Sequence, residues 1–276
     1  MAKVVFLNGG FISFKKVKLF LLNPGFLYGW SVFETMRAYK NKIIYLEKHL
    51  ARLKQSAGYL DLALPYSLDK IKKIIFKTLE LNQIKDAYVR LTLFKNIKRK
   101  NAFFVYVKKY RAYPQIKYQQ GFKVGLAQLR INTDYFFTGL KTGNYLLYEF
   151  AYQQARKKGY EEAVLLNNQG YVVEGVHSNI FWVKERKLFT PALKCGCLAG
   201  ITRQWVLDFA KENGIKTIQG FFTLKDAKNA EEIFITNSLI GIMPVGWFIN
   251  RKLKRDKFKT TDFLRQNYNY FLKHGT

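Results

Sequence analysis

The chain has 276 residues, of which 49% are hydrophobic, enough for one large domain or two modest ones. No apolar run approaches the ~20 residues that span a bilayer, and the N-terminus reads as a short strand and turn rather than an export signal, so a cytoplasmic protein is expected. Its formal charge of +28, from 47 Lys and Arg against 19 Asp and Glu, would attract a small anionic substrate. These basic residues are dispersed, with short clusters only at Lys95–Lys100 and Arg251–Lys259, and no nucleic-acid-binding signature accompanies them. Specific nucleic-acid binding is therefore not expected. Cys195 and Cys197 flank one glycine without a second pair, and the histidines are scattered, so no metal site is expected.

In chain order, Val4–Leu7 and Val17–Leu21 read as strands, and Phe33–Tyr39 with Lys42–Tyr45 as a hairpin around Lys40-Asn41. Leu46–Ala57, with Leu46, Leu50 and Leu53 on one face, predicts a helix, as does Ile71–Leu79. Ala87–Phe94 and Phe103–Lys108 follow as strands. Arg111–Gln120 turns polar and loop-like, which sets the expected organisation: a small N-terminal α/β domain over 1–112, a loop over 113–120 and a larger domain over 121–276. In that second domain, Asn144–Lys158 is helical in pattern and is stopped by Gly159. Glu161–Asn167 and Tyr171–Glu174 form a hairpin, Thr202–Asn213 a helix, Glu232–Asn237 a strand and Thr261–Lys273 a last helix. Strands outnumber helices there, so a curled, barrel-like sheet is expected, and the whole is an α+β or α/β protein of two domains.

Two residues stand out chemically. Lys141 sits at the mouth of the Asn144–Lys158 helix, and Glu174 places a carboxylate in an apolar strand, which is costly unless a cation meets it. A lysine amine and a carboxylate facing a pyridinium nitrogen are what pyridoxal 5'-phosphate (PLP) requires of a protein.

Several motifs, in order, resemble the fold-type IV PLP enzymes, the group of branched-chain aminotransferases, D-amino-acid aminotransferases and 4-amino-4-deoxychorismate lyases. Gly25-Phe-Leu-Tyr28-Gly29 through Phe33-Glu34-Thr35-Met-Arg37 resembles the N-terminal signature, and Leu46 through His49-Leu50-Ala-Arg52 the helix after it. Lys141, Glu174, Ser178-Asn179-Ile-Phe181, Gly200-Ile201-Thr202-Arg203, Thr236-Asn237-Ser238 and Met243-Pro244-Val245 complete the set. The resemblance implies that Lys141 bonds the cofactor and then acts as general base, and that Glu174 faces the ring nitrogen. It also implies that Arg52, Ile201, Thr202, Asn237 and Ser238 hold the phosphate. Tyr145 either bonds the ring's phenolate oxygen or packs. Tyr28 and Arg90 are implied as substrate contacts, and a homodimer is implied as the assembly.

Within that group, the short chain, its basic aromatic last helix and the run Thr-Asn-Ser-Leu-Ile-Gly-Ile-Met-Pro-Val are similar to the lyases of folate biosynthesis, which release 4-aminobenzoate and pyruvate from aminodeoxychorismate. Thr35 then has a task as proton donor to the departing pyruvate. Tyr88-Val-Arg90 equally resembles the branched-chain enzymes, so an aminotransferase of branched-chain or D-amino acids is the alternative; a basic binding protein without catalysis is a third. Asn23 and Ser31 depart from the Asp and Gly of the signature, and the loop after Phe94 is short.

Overall fold

A computed structural model describes residues 3–17, 22–40, 42–97 and 101–274. Residues 18–21 of the expected second strand, Asn41 of the hairpin turn and residues 98–100 of the Lys95–Lys100 cluster lie outside them. The chain forms two compact units, one of residues 1–111 with 140–144, the other of 112–139 with 145–275.

The first unit holds strands β1 (Val4–Leu7), β2 (Gly10–Ser13), β3 (Ser31–Tyr39), β4 (Lys42–Ile43), β5 (Ala87–Phe94) and β6 (Ala102–Lys109), paired antiparallel in the order β2-β1-β6-β5-β3-β4. Its helices are α1 (Pro24–Leu27), α2 (Leu46–Tyr59) and α3 (Leu68–Asn82). Alternation along the strands separates two faces. Ala87, Val89, Leu91 and Leu93 of β5 are buried, and the intervening residues are half-buried. Helix α2 packs on β3 through Leu46, Leu50 and Leu53, and α3 buries Ile71, Ile74, Ile75 and Leu79. Each such side chain contributes roughly 1.5–3 kcal/mol on burial. Asn23 caps α1 by accepting the Gly25 N–H at 3.0 Å.

The segment Leu140–Asn144 groups with this first unit, whereas the sequence reading places it in the second domain. Backbone bonding gives the reason: Thr142 bridges Val32 antiparallel, the Phe33 N–H donates to the Lys141 carbonyl at 3.0 Å, and the Gly143 N–H donates to Ser31 O at 2.7 Å. A Cβ on Gly143 would overlap Ser31 Oγ, so this pairing requires glycine there.

The second unit begins with α4 (Gln115–Gln120), a short helix where a loop is expected; Pro114 precedes its first residue and Gly121, at φ 78°, ends it. Strands β7 (Phe122–Ile131), β8 (Glu162–Asn167), β9 (Val172–Gly175), β10 (Asn179–Lys184), β11 (Lys187–Pro191), β12 (Thr217–Gly220), β13 (Glu232–Asn237), β14 (Gly241–Phe248) and β15 (Arg251–Lys252) build its mixed sheet. Their order is β12-β11-β10-β13-β14-β7-β8-β9, with β15 beside β14. Strand β9, at one end of that order, packs beside β10 and β11 near the other, which gives the sheet its curled, half-barrel form. Helices α5 (Leu146–Lys157), α6 (Ile201–Glu212), α7 (Leu224–Lys228) and α8 (Lys259–His274) flank it. Trp182, Ile233, Ile235, Met243, Val245 and Phe248 lie in the main core, while Ala151 and Ala155 seat α5 in a second cluster with Leu165 and Val173. Among the described residues, no helix is long and apolar enough to cross a membrane.

Candidate active site

In the first unit, β3 sets its side chains alternately. Val32, Glu34, Met36 and Ala38 are buried, while Thr35 and Arg37 on the opposite face are half-buried. Lys141 shares the Phe33 face because it lies opposite Phe33 in the pairing of 140–143 with β3. Its Nζ is 4.6 Å from the centroid of the Phe33 ring, and the Arg90 guanidinium carbon is 3.6 Å from the same centroid. A ring face attracts both cations and holds them in place. Thr35 stands directly opposite Arg90 across β3 and β5. Lys141, Thr35 and Arg90 are thus brought to one sheet face. Tyr28 is not among them: it is 70% exposed in the turn after α1.

Arg52 lies on the helix-covered side. Its Nε–H donates to Glu34 Oε1 at 2.7 Å and its Nη2–H to Glu34 Oε2 at 2.7 Å, a two-bond fork on a fully buried carboxylate. The His49 ring nitrogen Nδ1 is 2.7 Å from the same Oε2. Burial pushes the Glu34 carboxyl up, but the charge and hydrogen bonds of Arg52, with those of His49, outweigh it and hold the group at about 2. Burial lowers His49, and Arg52 and Lys141 push the same way against Glu34. A neutral imidazole beside an ionised carboxylate must carry its proton on Nδ1 and donate. Glu34 has no role in the reading from sequence, yet the rule that singles out Glu174, a carboxylate in an apolar strand, applies equally to it.

In the second unit, Glu174 is buried near the end of β9. Its Oε2 accepts the Leu198 N–H at 3.0 Å and Asn179 Nδ2 at 3.3 Å, and Asn179 also donates to the Leu198 carbonyl at 2.8 Å. Asn179 therefore ties the acid to the loop that leads into α6. That helix starts at Ile201 after Gly200, with no side chain capping its first N–H groups, and a Cβ on Gly200 would overlap Asn179 Oδ1. Thr202 is buried in the first turn, its hydroxyl 3.4 Å from that of Tyr268. Asn237 bonds locally: Oδ1 accepts the N–H groups of Leu239 and Ile240 at 2.9 Å each, and Nδ2 donates to the His177 carbonyl at 3.0 Å. It shapes the turn that carries Ser238. The Tyr145 hydroxyl donates to the Val176 carbonyl at 2.9 Å, and its ring stacks on Tyr148 and His177, so its one proton serves the 175–178 turn.

Two further buried groups lie behind Glu174. Glu162 accepts the His177 N–H at 3.0 Å, and burial pushes its carboxyl up to about 8, against bonds from the backbone of His177, Ala163 and Val176 and with the nearby Glu174 charge adding to the rise. Burial likewise pushes the Cys197 thiol up to about 12, with Glu174 adding to it, so this cysteine is an inert thiol at neutral pH.

Each unit carries groups that suit part of PLP. In the second unit, the buried Glu174 carboxylate, fixed by Leu198 and Asn179, suits a pyridinium nitrogen. The N-terminus of α6, where Gly200 offers no capping side chain and Thr202 a hydroxyl in the first turn, suits a phosphate, and in the first unit the Lys141 amine suits the aldehyde.

A family model described as amino-transferase class IV matches residues 31–246. The chain is 34% identical over 263 residues to a Methanocaldococcus jannaschii protein whose name assigns it provisionally to the branched-chain-amino-acid aminotransferases, covering 90% of each chain. It is 32% identical over 252 residues to the aminodeoxychorismate lyase of Bacillus subtilis, covering 87% of this chain and 85% of that one. Among solved structures, a T.th. branched-chain amino acid aminotransferase with pyridoxamine 5'-phosphate superposes with a TM-score of 0.94 at 25% identity, covering 100% of this chain and 96% of that one. The chain belongs to the class IV aminotransferase family, whose enzymes use PLP.

Proposed function

We propose that the protein is a PLP-dependent aminodeoxychorismate lyase, converting 4-amino-4-deoxychorismate to 4-aminobenzoate and pyruvate in the cytoplasm. The observation that carries this reading is the placing of the Thr35 hydroxyl on the sheet face that bears Lys141, directly opposite Arg90. A lyase needs a proton for the enolpyruvyl group as its C–O bond breaks, and a hydroxyl on the face that carries the general base can supply it. When bound, PLP supplies the electron sink for the carbon that carries the amine.

The protein's own residues do the rest. Lys141 takes the proton from that carbon, and the cationic surroundings of Phe33 hold its side chain in position. Glu174, fixed by Leu198 and Asn179, keeps the ring nitrogen protonated. Arg52, the N–H groups of Ile201 and Thr202, and the Thr202 hydroxyl hold the phosphate, with Asn237 shaping the turn that presents Ser238. Arg90 binds a substrate carboxylate. Loss of the proton and of the enolpyruvyl ether aromatises the ring, which drives the reaction forward.

A homodimer is part of the proposal. Leu146, Leu147 and Phe150 of α5 are 79%, 60% and 51% exposed, and Phe26, Leu27 and Tyr28 are exposed in the first unit. Apolar side chains this exposed and this close in sequence fit a subunit interface, through which Tyr28 would reach substrate. A monomeric mass in sedimentation at micromolar concentration would count against it.

The second reading is a branched-chain aminotransferase, favoured by the names of the Methanocaldococcus jannaschii and T.th. relatives. One assay separates the two. PLP-loaded protein is given aminodeoxychorismate while 4-aminobenzoate and pyruvate are followed, and in parallel leucine, isoleucine or valine with 2-oxoglutarate. Equal amounts of both products at a catalytic rate establish the lyase. Branched-chain keto acids without 4-aminobenzoate establish the aminotransferase.

A further inference from the structure

Glu34 is a costly residue to bury. It is fully enclosed, it lies in a strand whose neighbours on the same face are Val32, Met36 and Ala38, and an apolar residue of similar volume would avoid the desolvation of an ion pair. What it does instead is grip two side chains of α2. The two oxygens take the Nε–H and Nη2–H of Arg52 at 2.7 Å each, and His49, itself 1% exposed, holds Oε2 at 2.7 Å. A guanidinium bonded along its Nε/Nη2 edge is fixed in plane and rotation, and the fork geometry directs its remaining N–H groups away from the carboxylate. His49 and Arg52 are three apart on α2, so one helix face presents both to the strand.

We propose that Glu34 is a positioning residue for the cofactor phosphate: with His49 behind it, it locks the Arg52 guanidinium in the one orientation that meets a phosphate ester. This rests on the reading that Arg52 binds that phosphate. The carboxylate has two opposed effects on an anion. Its negative charge repels phosphate, while its fork orders the arginine that attracts it. If positioning dominates, removing the charge weakens phosphate binding. A residue that served packing alone would leave that binding unchanged, and one felt only through its charge would tighten it when neutralised. Against the upward push of burial, the Arg52 charge and hydrogen bonds hold the Glu34 carboxyl far below the usual carboxylate range, which keeps the fork charged at neutral pH.

The test titrates the cofactor-free full-length protein with PLP and with pyridoxal, which lacks the phosphate, following absorbance of the bound ring. Glu34→Gln is expected to weaken PLP about tenfold and to leave pyridoxal unchanged, the scale on which loss of a residue supporting a ligand is felt. Arg52→Ala checks the underlying reading: if it leaves the preference for PLP over pyridoxal intact, Arg52 does not meet the phosphate and that reading falls. If Arg52→Ala abolishes the preference while Glu34→Gln keeps or tightens PLP, the positioning role is overturned and the arginine's place at the phosphate stands. Should Glu34→Gln fail to fold, Glu34→Asp decides. Aspartate keeps the charge but is too short to hold the fork on Arg52, so weaker PLP with unchanged pyridoxal supports the lock, and wild-type PLP affinity overturns it.

Discussion

Thr35 places a single hydroxyl opposite Arg90 on the face that carries Lys141. Thr35→Ala removes one oxygen from a half-buried strand position, a change expected to cost stability no more than about 1 kcal/mol. Its effect on turnover is expected to be far larger: a missing general acid lowers the rate about 100-fold or more. PLP binding, followed by absorbance, stays at the wild-type level. Wild-type turnover in Thr35→Ala would remove the hydroxyl from the reaction and with it the strongest support for a lyase. This residue was legible from sequence through resemblance alone. Glu34 was legible on physical grounds, as a carboxylate between apolar strand neighbours, but its partner could not be named. The fork on Arg52 depends on how α2 crosses β3, and that crossing is a tertiary fact with no local signal.

At the scale of elements, the link from Glu174 to α6 runs through Asn179 and Leu198, and Gly200 is what lets it close. A Cβ on Gly200 would overlap Asn179 Oδ1, so Gly200→Ala is expected to push Asn179 off Glu174 and off the Leu198 carbonyl together. Overpacking of this kind costs about 1–3 kcal/mol. The melting temperature should fall by several degrees and PLP retention should drop with it. A variant that melts and binds like wild type would show that the loop before α6 has room to move and that Asn179 is not its tie. The elements themselves follow from periodicity: Ala87–Phe94 and Glu232–Asn237 are strands to the residue, and the helices expected at Leu46 and Thr202 begin there or one residue earlier. The helix at Gln115–Gln120 escapes because its six residues are too few to show a pattern among polar neighbours. The place of Leu140–Asn144 escapes for another reason: its bonds to β3 span more than a hundred residues of chain, and only the folded backbone reveals them.

For the whole molecule, two buried carboxyls set opposite ends of the pH range in which the fold is stable. Glu34 is held at about 2, below the 4.5 of an unperturbed carboxyl, so the folded chain binds fewer protons than the unfolded one between those values. Its contribution is present above pH 4.5 and is lost as the pH falls towards 2, a loss of about 3 kcal/mol. Glu162 runs the other way. Its carboxyl stays protonated in the fold up to about 8 while the unfolded chain ionises from 4.5, so its contribution is full below 4.5 and lost as the pH rises through 8. His49, lowered by burial from 6.5, adds stability as the pH rises to 6.5 and so masks part of the Glu162 loss below that point. Between pH 6.5 and 8 the Glu162 contribution falls by about 2 kcal/mol. Chemical denaturation of wild type at the two ends of that interval should show the fall. Glu162→Gln keeps an oxygen for the His177 N–H and has no proton to lose, so its stability should stay level across the same interval. An equal decline in Glu162→Gln would mean that Glu162 is already ionised at neutral pH, and that the hairpin carrying Glu174 is built around two carboxylates rather than one.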